Sequence, residues 1–244
     1  MPTWVVAGAL AVVGSVGGLI TASILLFVRK ATRDRVVPWL VSYAVGTLLG
    51  AALLGLTPQA LETLAPTPVF GTLLAGIMTF FVLEKLVLWR HSHDDHECDV
   101  HKSTATLVIL GDAVHTFVDG VVIAAAVQAS VPLGLTTALA VAAHEIPQEA
   151  SDFAILLASG YSRSRALVLN LTSAAGGILG AAAMLLFGEH APAALPYVLS
   201  FAAGNFLYVA MADLIPTLHR GTLDSNAIRQ LILIGLGVGT IVLL

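Results

Sequence analysis

The 244 residues are 57% hydrophobic and only 11% charged, with a formal net charge of −4. A water-soluble domain carries about 25% charged residues, so this composition excludes one and specifies an all-α integral membrane protein. The net charge says little when lipid covers most of the surface, and the single Cys98 excludes an internal disulfide.

A helix needs about 20 apolar residues to cross the bilayer, and eight segments qualify as candidates. The first spans 3–28; no Lys or Arg precedes Arg29, so it lacks the basic start of a signal peptide and is expected to be retained. The second and third span 36–60 and 67–89, and the histidine-rich stretch 91–103 follows. The fourth, 104–128, and fifth, 133–158, carry charge in their middles and are expected to score poorly on hydropathy. The sixth and seventh span 166–187 and 193–217. The eighth, 225–244, is long enough if Asp224 or Ser225 caps its first turn. Residues 1–244 therefore read as a single eight-helix transmembrane domain.

All 11 Lys and Arg fall in or beside alternate connections: Arg29, Lys30, Arg33 and Arg35; Lys85, Arg90 and Lys102; Arg163 and Arg165; Arg220 and Arg229. The positive-inside rule places these connections, and the 91–103 loop with them, in the cytoplasm and both chain ends outside. A miscount of one helix would break the alternation.

Two segments resemble each other. Gly46 to Pro58 in helix 2 and Gly204 to Pro216 in helix 7 share their Gly-to-Pro spacing and match at Leu49/Leu207, Ala52/Ala210 and Leu56/Leu214. These helices cross in opposite directions, which predicts that helices 1–3 and 6–8 form an inverted repeat around a central site.

Helix 4 carries Asp112, His115 and Asp119 on one face, at i, i+3 and i+7. Helix 5 carries His144, Gln148 and Asp152 at i, i+4 and i+8, with Glu145 and Glu149 beside them. Left facing lipid, the seven ionisable groups would cost on the order of 15 kcal/mol or more. They must face inward and meet partners, and His115 to Asp119 falls at the depth of His144 to Glu149. A proton relay or a structural polar network would also satisfy them; two His among carboxylates favour a divalent metal. Pro147 removes a backbone hydrogen bond and is expected to free the Ala143 carbonyl as a further ligand. His144 to Gln148 echoes the H-E-x-x-H zinc protease helix, but Gln148 stands where that pattern needs a second His.

At these residues the chain resembles the ZIP (Zrt-, Irt-like protein) family of divalent metal transporters, in a bacterial-type form. His115 to Gly120 is similar to the family's HNxxDG pattern, and His144 to Leu157 to HExPxE followed by a DFA(I/V)LL run. Three further stretches are similar: one starting at Gly71, one ending at Glu62 and one ending at Pro216. The resemblance implies eight helices, outer termini and uptake towards the cytoplasm through a two-metal centre between helices 4 and 5. It implies that His115, Asp119, His144, Glu145 and Gln148 hold the transported ion. Asp119 and Glu145, with Glu149, would bridge to or hold a second. Asp112, Thr116, Asp152 and Asn170 are additional candidates. Thr116 stands where many members have Asn, and Gln148 where related members have His or Glu.

His91, His93, His96 and His101 are candidates for weak metal binding in the loop. Asp213 and Glu62 read as surface anchors, Asn170 and Ser173 as packing or second-site residues, and Glu84-Lys85 as an interfacial ion pair. The expected function is transport of a divalent metal into the cytoplasm, Zn²⁺ foremost, with Fe²⁺, Mn²⁺ and Cd²⁺ as alternatives. The lack of Met or Cys near the site argues against Cu⁺. The alternative is a membrane metalloenzyme using the same centre. No cofactor beyond the transported metal and no nucleic acid is expected; the bilayer and the ions are the partners, and a homodimer is left open. The expected location is the cell membrane.

Overall fold

The computed structural model describes residues 1–91, 100–188, 190–219 and 225–244, and among these every long element is a helix. α1 is Thr3–Phe27. α2 starts as Lys30–Gly50, passes through a π-helical stretch Ala51–Leu56 and ends as Thr57–Leu61. α3, α4, α5 and α6 are Pro66–His91, Val100–Ala129, Val131–Ala158 and Arg163–Gly188. A 3₁₀ turn Pro192–Ala194 leads into α7, which runs Leu195–Tyr208, a π-helical stretch Val209–Leu214 and then Ile215–Leu218. α8 is Ser225–Leu243.

Local chemistry sets several ends. Ser130 caps α5 by accepting the Leu133 N–H at 3.3 Å, and Pro132 sits in the first turn, where its missing N–H costs nothing. Gly160, at φ 85°, ends α5: its N–H bonds Leu157 O while the Tyr161 N–H bonds Leu156 O. α2 begins six residues before the expected 36, because the basic residues at its start interrupt the apolar run without interrupting the helix.

Among the described residues, six helical stretches are long and apolar enough to cross a membrane, judged by length and composition. Helix α4 is among them through Val108–Ala129, against expectation, because Asp112 and Asp119 are its only acids there. α5 is not, since Glu145, Glu149 and Asp152 fall together. In α8 the apolar run is Ala227–Leu243, just short of a span.

The helices pack as two groups. α1, α4, α5 and α6 contact one another; in the second group α2 contacts α3, α7 and α8 and α3 contacts α7, with α2 against α5, α4 against α7 and α3 against α4 joining the groups. The two segments matched in sequence also share backbone features. The π stretches Ala51–Leu56 and Val209–Leu214 sit at one offset within the two matching segments. The close crossings match as well. A side chain on Gly46 would strike the backbone of Ile234 and Gly237 in α8, and one on Gly204 that of Leu73 and Ile77 in α3. With no Cβ at either crossing, backbones touch, which is how helices gain contact where lipid supplies no hydrophobic drive. The core between the groups holds Leu48 and Leu56 of α2, Phe206 of α7, Ile123 of α4 and Val141 of α5.

Candidate metal centre

Where α4 meets α5, His115, Asp119, His144 and Glu145 converge, each offering one ligand atom, with all four atoms within 4.8 Å of one another. His115 Nε2 lies 3.1 Å from His144 Nε2 and 3.6 Å from Asp119 Oδ2, while His144 Nε2 lies 3.1 Å from that same oxygen. Tetrahedral Zn²⁺ with ligands about 2.0–2.1 Å away separates its ligand atoms by about 3.3 Å. The observed spacings straddle that figure.

The donor chemistry fits a cation too. His144 Nδ1 donates to the Ala140 carbonyl at 3.0 Å, so in the neutral ring Nε2 bears the lone pair. That lone pair faces the Asp119 carboxylate, an acceptor facing an acceptor, while neither Glu145 oxygen has a hydrogen-bond partner. Asp119, His144 and Glu145 are at most 1% exposed. A divalent cation satisfies all of these groups together.

Neighbouring helices shape the site. Phe80 of α3 meets the His115 ring edge-on at 6.0 Å, and Phe206 of α7 meets the His144 ring at 6.0 Å. These contacts pack each imidazole against an aromatic ring. Gly18 of α1 lies against the Glu145 Cβ, leaving no room for a side chain. None of the three was singled out from sequence: a Phe or Gly in an apolar segment looks the same whether it faces a site or lipid.

The other candidates lie around the four. Gln148 Nε2 donates to Asp112 Oδ1 at 3.1 Å, and Ser173 Oγ donates to Asp112 Oδ2. Thr116 Oγ1 donates to the Asp112 carbonyl at 2.8 Å, so its hydroxyl proton is engaged within α4. Glu149 and Asn170 are buried as side-chain neighbours that fall short of hydrogen-bond geometry, and Asp152 is half-buried further along α5. α5 runs unbroken through Pro147. Glu84 accepts from the Tyr208 hydroxyl and Lys85 extends over the Phe81 ring at 5.8 Å, in place of the ion pair expected between them. Glu62 accepts from Gln59 Nε2 at 2.5 Å. His91 and His101 fall at the adjoining ends of α3 and α4; His93, His96 and Cys98 lie outside the described residues.

Comparison with known proteins adds an independent line. Residues 89–244 match the family model described as ZIP Zinc transporter. The chain is 34% identical over 221 residues to Zinc transporter ZIP13 of Pongo abelii, covering 84% of this chain and 65% of that protein. It is 33% identical over 247 residues to Zinc transporter ZIP4 of Homo sapiens, covering 72% of this chain and 38% of that one. With Zinc transporter YKE4 of Saccharomyces cerevisiae it shares 28% over 220 residues, 78% of this chain and 64% of the other. The chain thus spans less than two thirds of each of these relatives.

Proposed function

This chain belongs to the ZIP zinc transporter family, and from that premise we propose that it carries divalent metal ions, Zn²⁺ foremost, across the membrane into the cytoplasm. The observation that carries the reading is the convergence of His115, Asp119, His144 and Glu145 on one point between α4 and α5. Imidazole and carboxylate suit Zn²⁺, and also Fe²⁺, Mn²⁺ and Cd²⁺.

His115, Asp119, His144 and Glu145 take the ion as cargo. Gln148 and Glu149 complete or extend the set, with Asp112, Thr116, Asp152 and Asn170 around it. His144 presents Nε2 to the ion, because the Ala140 carbonyl accepts the Nδ1–H and so sets the tautomer of the neutral ring. The lysine and arginine pattern supports outer termini and a cytoplasmic 91–103 loop, hence inward delivery. A cycle that moves the α4/α5 block past a scaffold holding α2 and α7 accords with the two packing groups.

The test is uptake of Zn²⁺ into sealed proteoliposomes. Wild type accumulates metal, and His144→Ala or Asp119→Ala lowers the initial rate at least about 100-fold, since each removes a ligand that contributes several kcal/mol of binding. Accumulation unaffected by either substitution would sink this assignment of the route, and turnover of a substrate without accumulation would indicate the metalloenzyme instead.

A further inference from the structure

Asp112 lies on α4 one turn from His115. It is 4% exposed, and each carboxylate oxygen is engaged by a side chain from another helix: Oδ1 by Gln148 Nε2 of α5 at 3.1 Å, Oδ2 by Ser173 Oγ of α6. A carboxylate offers only acceptors, so the amide nitrogen is the end of Gln148 that must face it. The amide group is planar and its polar atoms diverge from a single carbon. With Nε2 held, Oε1 is the only ligand atom that Gln148 has left for a cation. An unheld amide can turn either end to an ion, and its NH₂ end repels it.

We infer that Asp112 is a positioning residue for the transported cation: anchored by Ser173, it fixes Gln148 with its carbonyl oxygen available as a ligand. His144 and Gln148 are one turn apart on α5, so the two residues share a face of that helix. The arrangement also explains why the chain keeps a buried carboxylate outside the four-ligand group. Two donors from different helices converge on it; if it is removed Gln148 Nε2 loses its acceptor, while Ser173 Oγ keeps the Asn170 carbonyl at 2.9 Å. The inference rests on the transport reading for its consequence, though not for its geometry.

The experiment uses full-length protein in proteoliposomes for Zn²⁺ uptake kinetics and in detergent for Co²⁺ titration, reading the d–d absorption of the bound ion. Asp112→Ala should raise the KM for Zn²⁺ about tenfold or more, the range seen when a ligand's partner is lost, and shift the Co²⁺ spectrum as Gln148→Ala does. The double variant should be no worse than either single within about twofold, since both remove one coupled element. Asp112→Asn is the decisive rescue. Its oxygen still accepts from Gln148 and its NH₂ can donate to Ser173 Oγ, so it should stay within about threefold of wild type, having lost a charge but no tie. Asp112→Asn as impaired as Asp112→Ala, or additive effects in the double variant, would overturn the inference in favour of Asp112 as a ligand or an independent charge.

If Asp112→Ala does not fold, Ser173→Ala removes one tie alone and should raise the KM by a smaller factor at unchanged Vmax; an unchanged KM there also overturns it. Wild type that moves no metal defeats the transport reading, while the Co²⁺ spectra still judge the positioning of Gln148.

Discussion

His115 and His144 present their Nε2 atoms to each other at 3.1 Å and to one carboxylate oxygen, so protons and metal compete for the same few lone pairs. Ligands bind metal only when deprotonated, and an ordinary imidazole takes up its proton near about pH 6.5. Metal binding must therefore release protons, and acid must oppose it. The KM for Zn²⁺ should rise as pH is lowered from about 7.5 to 5.5, by about tenfold for each proton displaced per pH unit below the ligands' own values. Initial uptake rates across that range, without a pH gradient, check this; a flat KM would remove the imidazoles from the binding step. The four converging residues were legible in the sequence because ionisable groups are costly at that depth and so few in number. The tie from Gln148 to Asp112 was not legible: helical spacing placed Gln148 on the face of His144, and only the packing of three helices reveals which acceptor its nitrogen reaches.

The elements themselves were mostly readable, since a helix in lipid must satisfy its own backbone and apolar length is then a direct signal. The start of α2 was not, because basic residues there interrupt apolarity without interrupting the helix. The π stretches also escaped detection. A π turn needs one extra residue between bonded groups and is stabilised by what packs around it, so Ala51–Leu56 and Val209–Leu214 differ little in composition from α-helix. Their shared offset from Gly46 and Gly204 ties them to the repeat, and the two glycine crossings should then respond alike. Gly46→Val and Gly204→Val each drive a branched side chain into the backbone of a neighbouring helix, and each should cost about 1–3 kcal/mol or more, as overpacking does. Gly71→Val and Gly239→Val, which meet nothing within 4 Å, serve as controls, with only the small penalty of a β-branched residue in a helix. Thermal unfolding in detergent compares the four; loss at one crossing only would mean that the two halves are not mechanically equivalent.

At the scale of the molecule, the number and order of helices followed from apolar length, but the pairing of helices did not. Faces rich in Gly and Ala look alike in sequence, and which of them meet is decided by crossings such as Gly46 against Gly237 or Gly76 against Gly204. The resulting division into α1, α4, α5, α6 and α2, α3, α7, α8 puts all four converging residues in one group. The aromatic Phe80 and Phe206 that wall the site come from the other. An ion held wholly by one group can travel with it, and any such sliding takes place at the seam between the groups. Gly55 of α2 and Leu133 of α5 lie across that seam, a Cβ at 55 falling 3.1 Å from Leu133 Cδ1, whereas Tyr43 and Thr240 are joined at 3.2 Å inside one group. With Cys98 replaced by Ser, a short bis-thiol linker between Gly55→Cys and Leu133→Cys should stop Zn²⁺ uptake and leave Co²⁺ binding intact. The same linker between Tyr43→Cys and Thr240→Cys should leave both. Uptake that persists with the seam linked would show that the ion crosses without relative motion of the two groups.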